Sequence, residues 1–314
     1  MAQSHRRFGV TAIADPVDPR SADGGSGVGT AYGTFGELLQ GALPGPGEPD
    51  GEGRFLVTLP IARWSTARFE LRGSCGIAVS PDHKTKSATL ATALLTELGY
   101  PAHGRLVLHS SIPEGKGLAS SSADLVATAR AVLAAVKRSI STRRIGAMLA
   151  AIEPTDGVMH QGIVAFDHRR GIHLRTLGRL PALQVVAADQ GGCVDTVAFN
   201  RTATGYTAAE RRQYAQLLNA LAVAVARTDL AAVGAISTRS AALNQDRLPS
   251  RNFAGMRRIC RDVGGLGLVA CHSGTMVGIL LDPRDAEYRS RLSHAVQLAE
   301  ELPGRTHLYR TLAA

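Results

Sequence analysis

The run Pro113-Glu114-Gly115-Lys116-Gly117-Leu118-Ala119-Ser120-Ser121-Ser122-Ala123 combines the residue types that hold phosphate. Gly115 and Gly117 permit backbone conformations and close approaches denied to other residues. Three successive hydroxyls open an amphipathic helix, whose unpaired N–H groups and positive dipole end then face the glycines. That combination binds anions. One serine can also ligate a Mg²⁺ that bridges phosphate oxygens, and Lys116 adds a point charge. A simple serine N-cap is the plainer reading of such a helix start, but a cap needs one Ser and no Gly-x-Gly. The run is not a Walker A loop, because GxxxxGK[ST] is absent. A nearby glycine pair, Gly27-Val28-Gly29, reads as linker.

The elements that must position this loop follow from periodicity. Gly104 to Ser110 alternates as a strand, and Leu125, Ala129, Val132, Leu133 and Val136 share one helix face after the loop. Further strands are predicted at Phe55 to Pro60, Ala67 to Leu71, Leu183 to Ala188, Gly267 to Ala270 and Val277 to Leu281. Ile163 to Asp167 and Ile172 to Thr176 form a hairpin. Helices are predicted over Thr85 to Leu98, Ile140 to Ile152 and most of Ala208 to Leu243, with breaks near Asp229 and Gly234. Strands and helices mix without a regular βαβ repeat, so the fold class is α+β. Residues 1–28 read as a mobile tail, and a boundary near Leu177 to Pro181 divides the rest into 29–178 and 179–314.

Composition narrows the class. The 314 residues carry a formal charge of +9, and only four of the 35 basic residues are lysines, namely Lys84, Lys86, Lys116 and Lys137. The arginines are dispersed in ones and twos and aromatics make up 4%, so the basic, aromatic-studded stripe of a nucleic-acid binder is missing. No apolar run reaches the roughly 20 residues of a membrane span. Leu217 to Ile236 comes nearest but contains Arg227 and Asp229. The N-terminus lacks the apolar core of a secretory signal. Cys75, Cys193, Cys260 and Cys271 have no CxxC or metal spacing, which fits free thiols in a reducing, cytoplasmic setting. His109, His160 and His272 likewise lack metal spacing.

The phosphate run resembles the central motif of the GHMP kinases, the galactose, homoserine, mevalonate and phosphomevalonate kinase superfamily, written Pro-x-x-x-Gly-Leu-Gly-Ser-Ser-Ala. Ala119 replaces the third glycine and Ser122 the first alanine; both are small. Tyr32 to Gly41, including Gly33-Thr34-Phe35-Gly36-Glu37-Leu38, looks like the N-terminal motif. Cys271 to Leu280, with Ser273-Gly274, looks like the C-terminal glycine turn. The resemblance implies an N-terminal ribosomal-protein-like β/α domain and a C-terminal ferredoxin-like α+β domain. It also implies ATP on residues 113–123, with Ser121 on Mg²⁺.

Within the superfamily the motifs are most similar to bacterial L-threonine kinases of cobalamin biosynthesis, through Gly-Lys-Gly-x-Ala-Ser-Ser and Glu153-Pro154-Thr155-Asp156; Phe35 stands where those enzymes have Cys. The implied reaction moves the ATP γ-phosphate to the L-threonine hydroxyl. Glu153, ending a helix before Pro154, suits a second Mg²⁺ ligand beside Ser121, and Asp156 suits a base or orienting group. Taken alone, each carboxylate also reads as a loop or turn residue. Gly36, Glu37, Asp195, Thr196, Ser273 and Gly274 are the candidate acceptor contacts, though Asp195 reads equally as a helix N-cap. Homoserine, serine or another metabolite alcohol is the alternative acceptor, since fold and phosphate chemistry do not fix it. A nucleic-acid module or a catalytically silent homologue fits less well. The expected partner is a small amino acid or alcohol, with neither nucleic acid nor membrane, and the chain acts as monomer or homodimer.

Overall fold

Two 18-residue strands, β1 (Ser26–Leu43) and β2 (Gly53–Glu70), pair antiparallel and form the spine of the molecule. The computed structural model describes residues 24–44, 53–73, 75–192, 205–272 and 274–313. After the spine come β3 (Ile77–Ser80), α1 (Thr85–Glu97), β4 (Gly104–Ser110), α2 (Ser120–Ala135), α3 (Thr142–Ala150), β5 (Ile163–Asp167), β6 (Ile172–Gly178) and β7 (Gln184–Asp189). The remainder is α4 (Ala208–Ala226), α5 (Leu230–Asn244), α6 (Phe253–Asp262), β8 (Gly267–Ala270), β9 (Met276–Leu281), α7 (Tyr288–Glu300) and β10 (Arg305–Arg310).

One ten-stranded sheet carries the chain in the order β10-β7-β9-β8-β1-β2-β4-β3, with β5 added to β2 and β6 to β5. Only β3 and β4 run parallel. This is the mixed α+β architecture expected. In the sheet the two sequence halves join at the bridge between Ile61 and Thr311, and again where β1 meets β8 at Glu37 and Ala270. A glycine makes that contact possible. Gly36 has φ +51°, and a β-carbon on it would lie 2.5 Å from the Ala270 carbonyl oxygen.

Alternation decides which face of the spine is covered. Ser65, Ala67 and Phe69 point inward beneath α2, while Trp64 and Arg68 face outward. Gly27 and Gly29, expected to be linker, belong to β1 and let α2 lie directly on the strand. A β-carbon on Gly29 would sit 2.2 Å from the Ala127 carbonyl oxygen. The strand therefore begins inside the expected tail, whose residues 1–23 lie outside the described part.

The two strands expected near Phe55 and Ala67 are one. Residues 62–64 are exposed and break the alternation, because the register jumps there: Tyr32 pairs with Trp64, but Gly33 pairs with Ile61. The expected break at Gly234 is also absent. That glycine lies inside α5, where a side chain would strike the Leu266 carbonyl oxygen. A main core fills the space between α2, α1, α4 and the spine, and a second one joins β7, β8 and β9 to α6 and α7. Among the described residues no helix is long and apolar enough to cross a membrane.

Candidate active site

The phosphate-type loop leaves β4 and delivers the chain to the first turn of α2. Ala119 is the N-cap residue and has no side-chain acceptor, so no cap competes for the first-turn N–H groups of Ser120 to Ser122. Its φ of +59° is left-handed, the conformation a glycine adopts freely. Two other segments clamp the loop. The Thr34 N–H donates to the Leu118 carbonyl at 3.1 Å, which ties β1 to the loop. On the opposite side Gly117 packs against Cys271 and Gly274, where β-carbons have no room. The three motifs are thus in mutual contact.

The loop opens on a cleft of about 620 Å³ lined by Gly115, Gly117 to Ser122, Glu153 to Asp156, Glu37, His168 and His272. Carboxylates from different segments converge there. The Ser121 hydroxyl donates to Glu153, and the other Glu153 oxygen accepts from Lys86 Nζ at 2.5 Å. The Ser122 hydroxyl donates to Asp156 Oδ2 at 3.2 Å while accepting from the Asp156 N–H at 3.0 Å. Thr155 Oγ1 reaches the same hydroxyl at 3.2 Å, and the Thr155 N–H is held by the His168 carbonyl. The Glu153 turn is thereby locked onto the start of α2.

Burial tunes these groups. It raises the Asp156 pKa to about 6; the Ser122 hydrogen bond opposes the rise and the Glu153 charge adds to it. Burial also lifts Glu37 well above the carboxylate range, helped by the Asp156 charge and opposed by the His272 backbone N–H. Its Oε2 has no hydrogen-bond partner among the described residues. His272 is pushed far down by burial, with nearby His168 adding to the effect, so its ring is neutral. Gln40 Oε1, 3.0 Å away, can only accept, which places the proton on Nδ1.

Residues 85–167 match the family model described as GHMP kinases N terminal domain. That stretch, from α1 to β5, is similar to the N-terminal domain of the GHMP kinases. Two relatives agree. L-threonine kinase of Salmonella typhimurium is 26% identical over 255 residues, 79% of this chain and 80% of that protein. L-threonine kinase of Citrobacter freundii is 26% identical over 256 residues, 79% of this chain and 83% of that protein. The solved homoserine kinase of Cytophaga hutchinsonii superposes with a TM-score of 0.68 at 13% identity, covering 98% of each chain, which shows a shared fold. The matched model and the names of both relatives are those of kinases.

Of the residues singled out from sequence, the fold brings Glu37, Pro113, Gly115, Gly117 to Ser122, Glu153 and Asp156 into one cleft. Several others stand apart. Ala123 is wholly buried in the core. Glu114 is exposed and paired with Lys84 at 2.6 Å. Lys116 turns to the other half of the molecule, 2.8 Å from Asp189 Oδ2 and 2.7 Å from the Gly192 carbonyl oxygen. Gly36 and Gly274 act as packing contacts behind the cleft. Asp195, Thr196 and Ser273 lie outside the described residues. The sequence reading missed Lys86 on Glu153, His168, and Lys84, which joins Asp124 of α2 at 2.6 Å. Composition held a signal, since three of only four lysines stand around this loop.

Proposed function

We propose that this chain transfers the γ-phosphoryl group of ATP to the side-chain hydroxyl of L-threonine, giving O-phospho-L-threonine for cobalamin biosynthesis. The observation that carries the chemistry is the cluster at the start of α2. Uncapped N–H groups face a cleft in which Ser121, Glu153 and Lys86 form one hydrogen-bonded set and Asp156 stands beside them. Phosphoryl transfer demands positioning and charge neutralisation more than covalent help. The N–H groups and loop glycines cradle the phosphates. The naming of both relatives supports threonine as the acceptor.

Mg²⁺ fits the donor set. Among the described residues no three His, Cys, Asp or Glu side chains gather as an all-protein metal site. Ser121 and Glu153 instead offer one hydroxyl and one carboxylate, which suits an ion that keeps phosphate and water in its shell. These two residues would hold it, and the ion would neutralise phosphate oxygens. Asp156 is the proton acceptor: its ionised oxygen takes the acceptor hydroxyl proton as the oxygen attacks phosphorus. The unsatisfied Glu37 carboxyl and His272, just before the C-terminal glycine turn, form the acceptor wall. We read residues 29–178 and 179–314 as two domains sharing the cleft, in a cytoplasmic monomer or homodimer.

The test is ADP release with ATP, Mg²⁺ and single acceptors. Turnover with L-threonine, with phosphothreonine detected by mass spectrometry, is expected to exceed that with L-serine or L-homoserine. Turnover with homoserine and none with threonine overturns the assignment of the acceptor while leaving the kinase chemistry in place.

A further inference from the structure

A second cleft, of about 980 Å³, opens where Tyr32 and Trp64 of the spine meet the segment 160–163 and Arg130 of α2. Tyr32 and Trp64, direct partners in the β1–β2 register, form its aromatic wall, their rings edge to face with centroids 6.1 Å apart. Leu180 and Leu312 extend the apolar lining. Trp64 is 43% exposed, unusual for a large ring with no packing partner above it. Two cations, Arg130 and Arg179, line the same cleft.

Neither cation has a carboxylate within ion-pair distance among the described residues. Arg130 is half-buried and held only by the Thr30 and Met159 carbonyl oxygens, at 2.6 and 3.2 Å. Arg179 donates to the Gln161 side-chain oxygen at 2.9 Å. Both charges act on the Tyr32 hydroxyl, which itself donates to the His160 carbonyl, so the two guanidiniums converge on one end of the aromatic wall. Burying part of a guanidinium without an anion is costly, and the cost is recovered when an oxyanion arrives.

We propose that this cleft is a second small-molecule site, distinct from the phosphotransfer cleft, for an organic anion with an apolar or aromatic body and one carboxylate or phosphate group. The body stacks on Trp64 and Tyr32 and the oxyanion meets Arg130 and Arg179. The two clefts share no lining residue, so its occupant does not sit where the phosphotransfer site holds the nucleotide. It is nonetheless close in sequence space to the loop. The Trp64 backbone exchanges hydrogen bonds with Ser111, just before Pro113, with Ser111 N–H donating to the Trp64 carbonyl at 2.9 Å.

Trp64 is the only tryptophan in the chain, so its fluorescence reports this cleft alone. The full-length kinase is titrated with phenyl phosphate, benzoate and neutral phenol, with and without saturating ATP. A saturable change is expected with at least one anion, about tenfold tighter than phenol and unchanged by ATP. The tighter anion identifies phosphate or carboxylate as the preferred headgroup. Arg179→Gln is expected to weaken the anion about tenfold, leave phenol unaffected and leave kinase turnover unaltered. No saturable response up to about 10 mM, equal binding of phenol and both anions, or displacement by ATP overturns the proposal. Arg130→Gln is expected to weaken the anion likewise; if it misfolds, Arg179→Gln alone decides.

Discussion

Gly117 of the phosphate loop and Gly274 of the C-terminal turn press together backbone to backbone. A β-carbon on Gly274 would lie 2.7 Å from the Gly117 Cα and 2.1 Å from the Lys116 carbonyl oxygen. One on Gly117 would lie 2.8 Å from the Gly274 Cα. Backbone cannot yield as a flexible side chain does, so a methyl here must push the loop away from the turn. Gly274→Ala is therefore expected to reduce kcat/KM at least about 100-fold, the cost of displacing reacting groups by about 1 Å. Circular dichroism should stay native, since the clash is confined to the cleft. Near-normal turnover would mean that the contact between the two motifs is dispensable.

Ser121, Glu153 and Lys86 act as a set. Ser121→Ala and Glu153→Gln are each expected to cut kcat by about 100-fold or more, because each removes charge neutralisation felt most in the transition state. Both should also raise the Mg²⁺ concentration needed for half-maximal rate. Lys86→Ala leaves Glu153 with one partner fewer and is expected to give a smaller loss. The double variant Ser121→Ala/Glu153→Gln should fall well short of the product of the singles. Titrating rate against Mg²⁺ for all four proteins checks this. Unchanged Mg²⁺ dependence in both single variants would remove these residues from the cation site.

The loop was legible because its chemistry is local: glycines, serines and a helix start adjoin in sequence. Glu153 and Asp156 were legible through the Pro-containing segment that ends α3. What escaped depended on contacts between distant residues. Lys86 meets Glu153 across 67 positions and Lys116 meets the Gly192 carbonyl across 76. Periodicity also failed where the buried stripe is thin. Helix α7 buries only Ala295 and Ala299, and β10 only Tyr309. Both look polar in sequence and owe their form to packing on β7. The glycines of β1 misled for a related reason, since close packing against a helix and flexibility in a linker call for the same residue.

Lys116 is held by Asp189 and the Gly192 carbonyl, and Asp189 is fixed in turn by the Thr275 hydroxyl at 2.5 Å. The ammonium therefore lies beside the loop and away from its glycines. Lys116→Ala is expected to raise KM for ATP by up to about tenfold with kcat within about threefold. The loss reflects a looser loop and a missing positive charge. Initial rates over a range of ATP concentrations check it; a fall in kcat with KM unchanged would instead make Lys116 a group that touches the transferring phosphoryl.

Ala119 holds a left-handed backbone at φ +59°. An L-residue with a β-carbon is strained there by about 1–2 kcal/mol, and glycine is not, although glycine gives back about 0.5–1 kcal/mol in unfolded-state entropy. Ala119→Gly is expected to stabilise the fold by roughly 0.5–1 kcal/mol and keep activity close to the parent. Urea unfolding measures it. A clear loss of stability would show that the methyl group's packing in the cleft outweighs the backbone strain.

Asp156 links pH to both stability and rate. Its pKa rises from 3.8 to about 6 because burial disfavours the charge. A carboxylate whose folded pKa is raised contributes stability below its ordinary pKa and loses it as pH climbs through the folded value. Asp156→Asn should then stabilise the protein at pH 7.5, with the gain fading toward pH 4. The full two-unit shift corresponds to about 3 kcal/mol, and the side chain's partial solvent access cuts that to about 1–2 kcal/mol. Activity runs the other way. A base must be ionised, so kcat/KM is expected to rise with pH through about 6 and then level, while Asp156→Asn loses about 10²–10⁴-fold and flattens that limb. Thermal unfolding at pH 4.5 and 7.5, paired with a pH–rate profile, tests both. An unchanged acidic limb in Asp156→Asn would assign the proton transfer to another group.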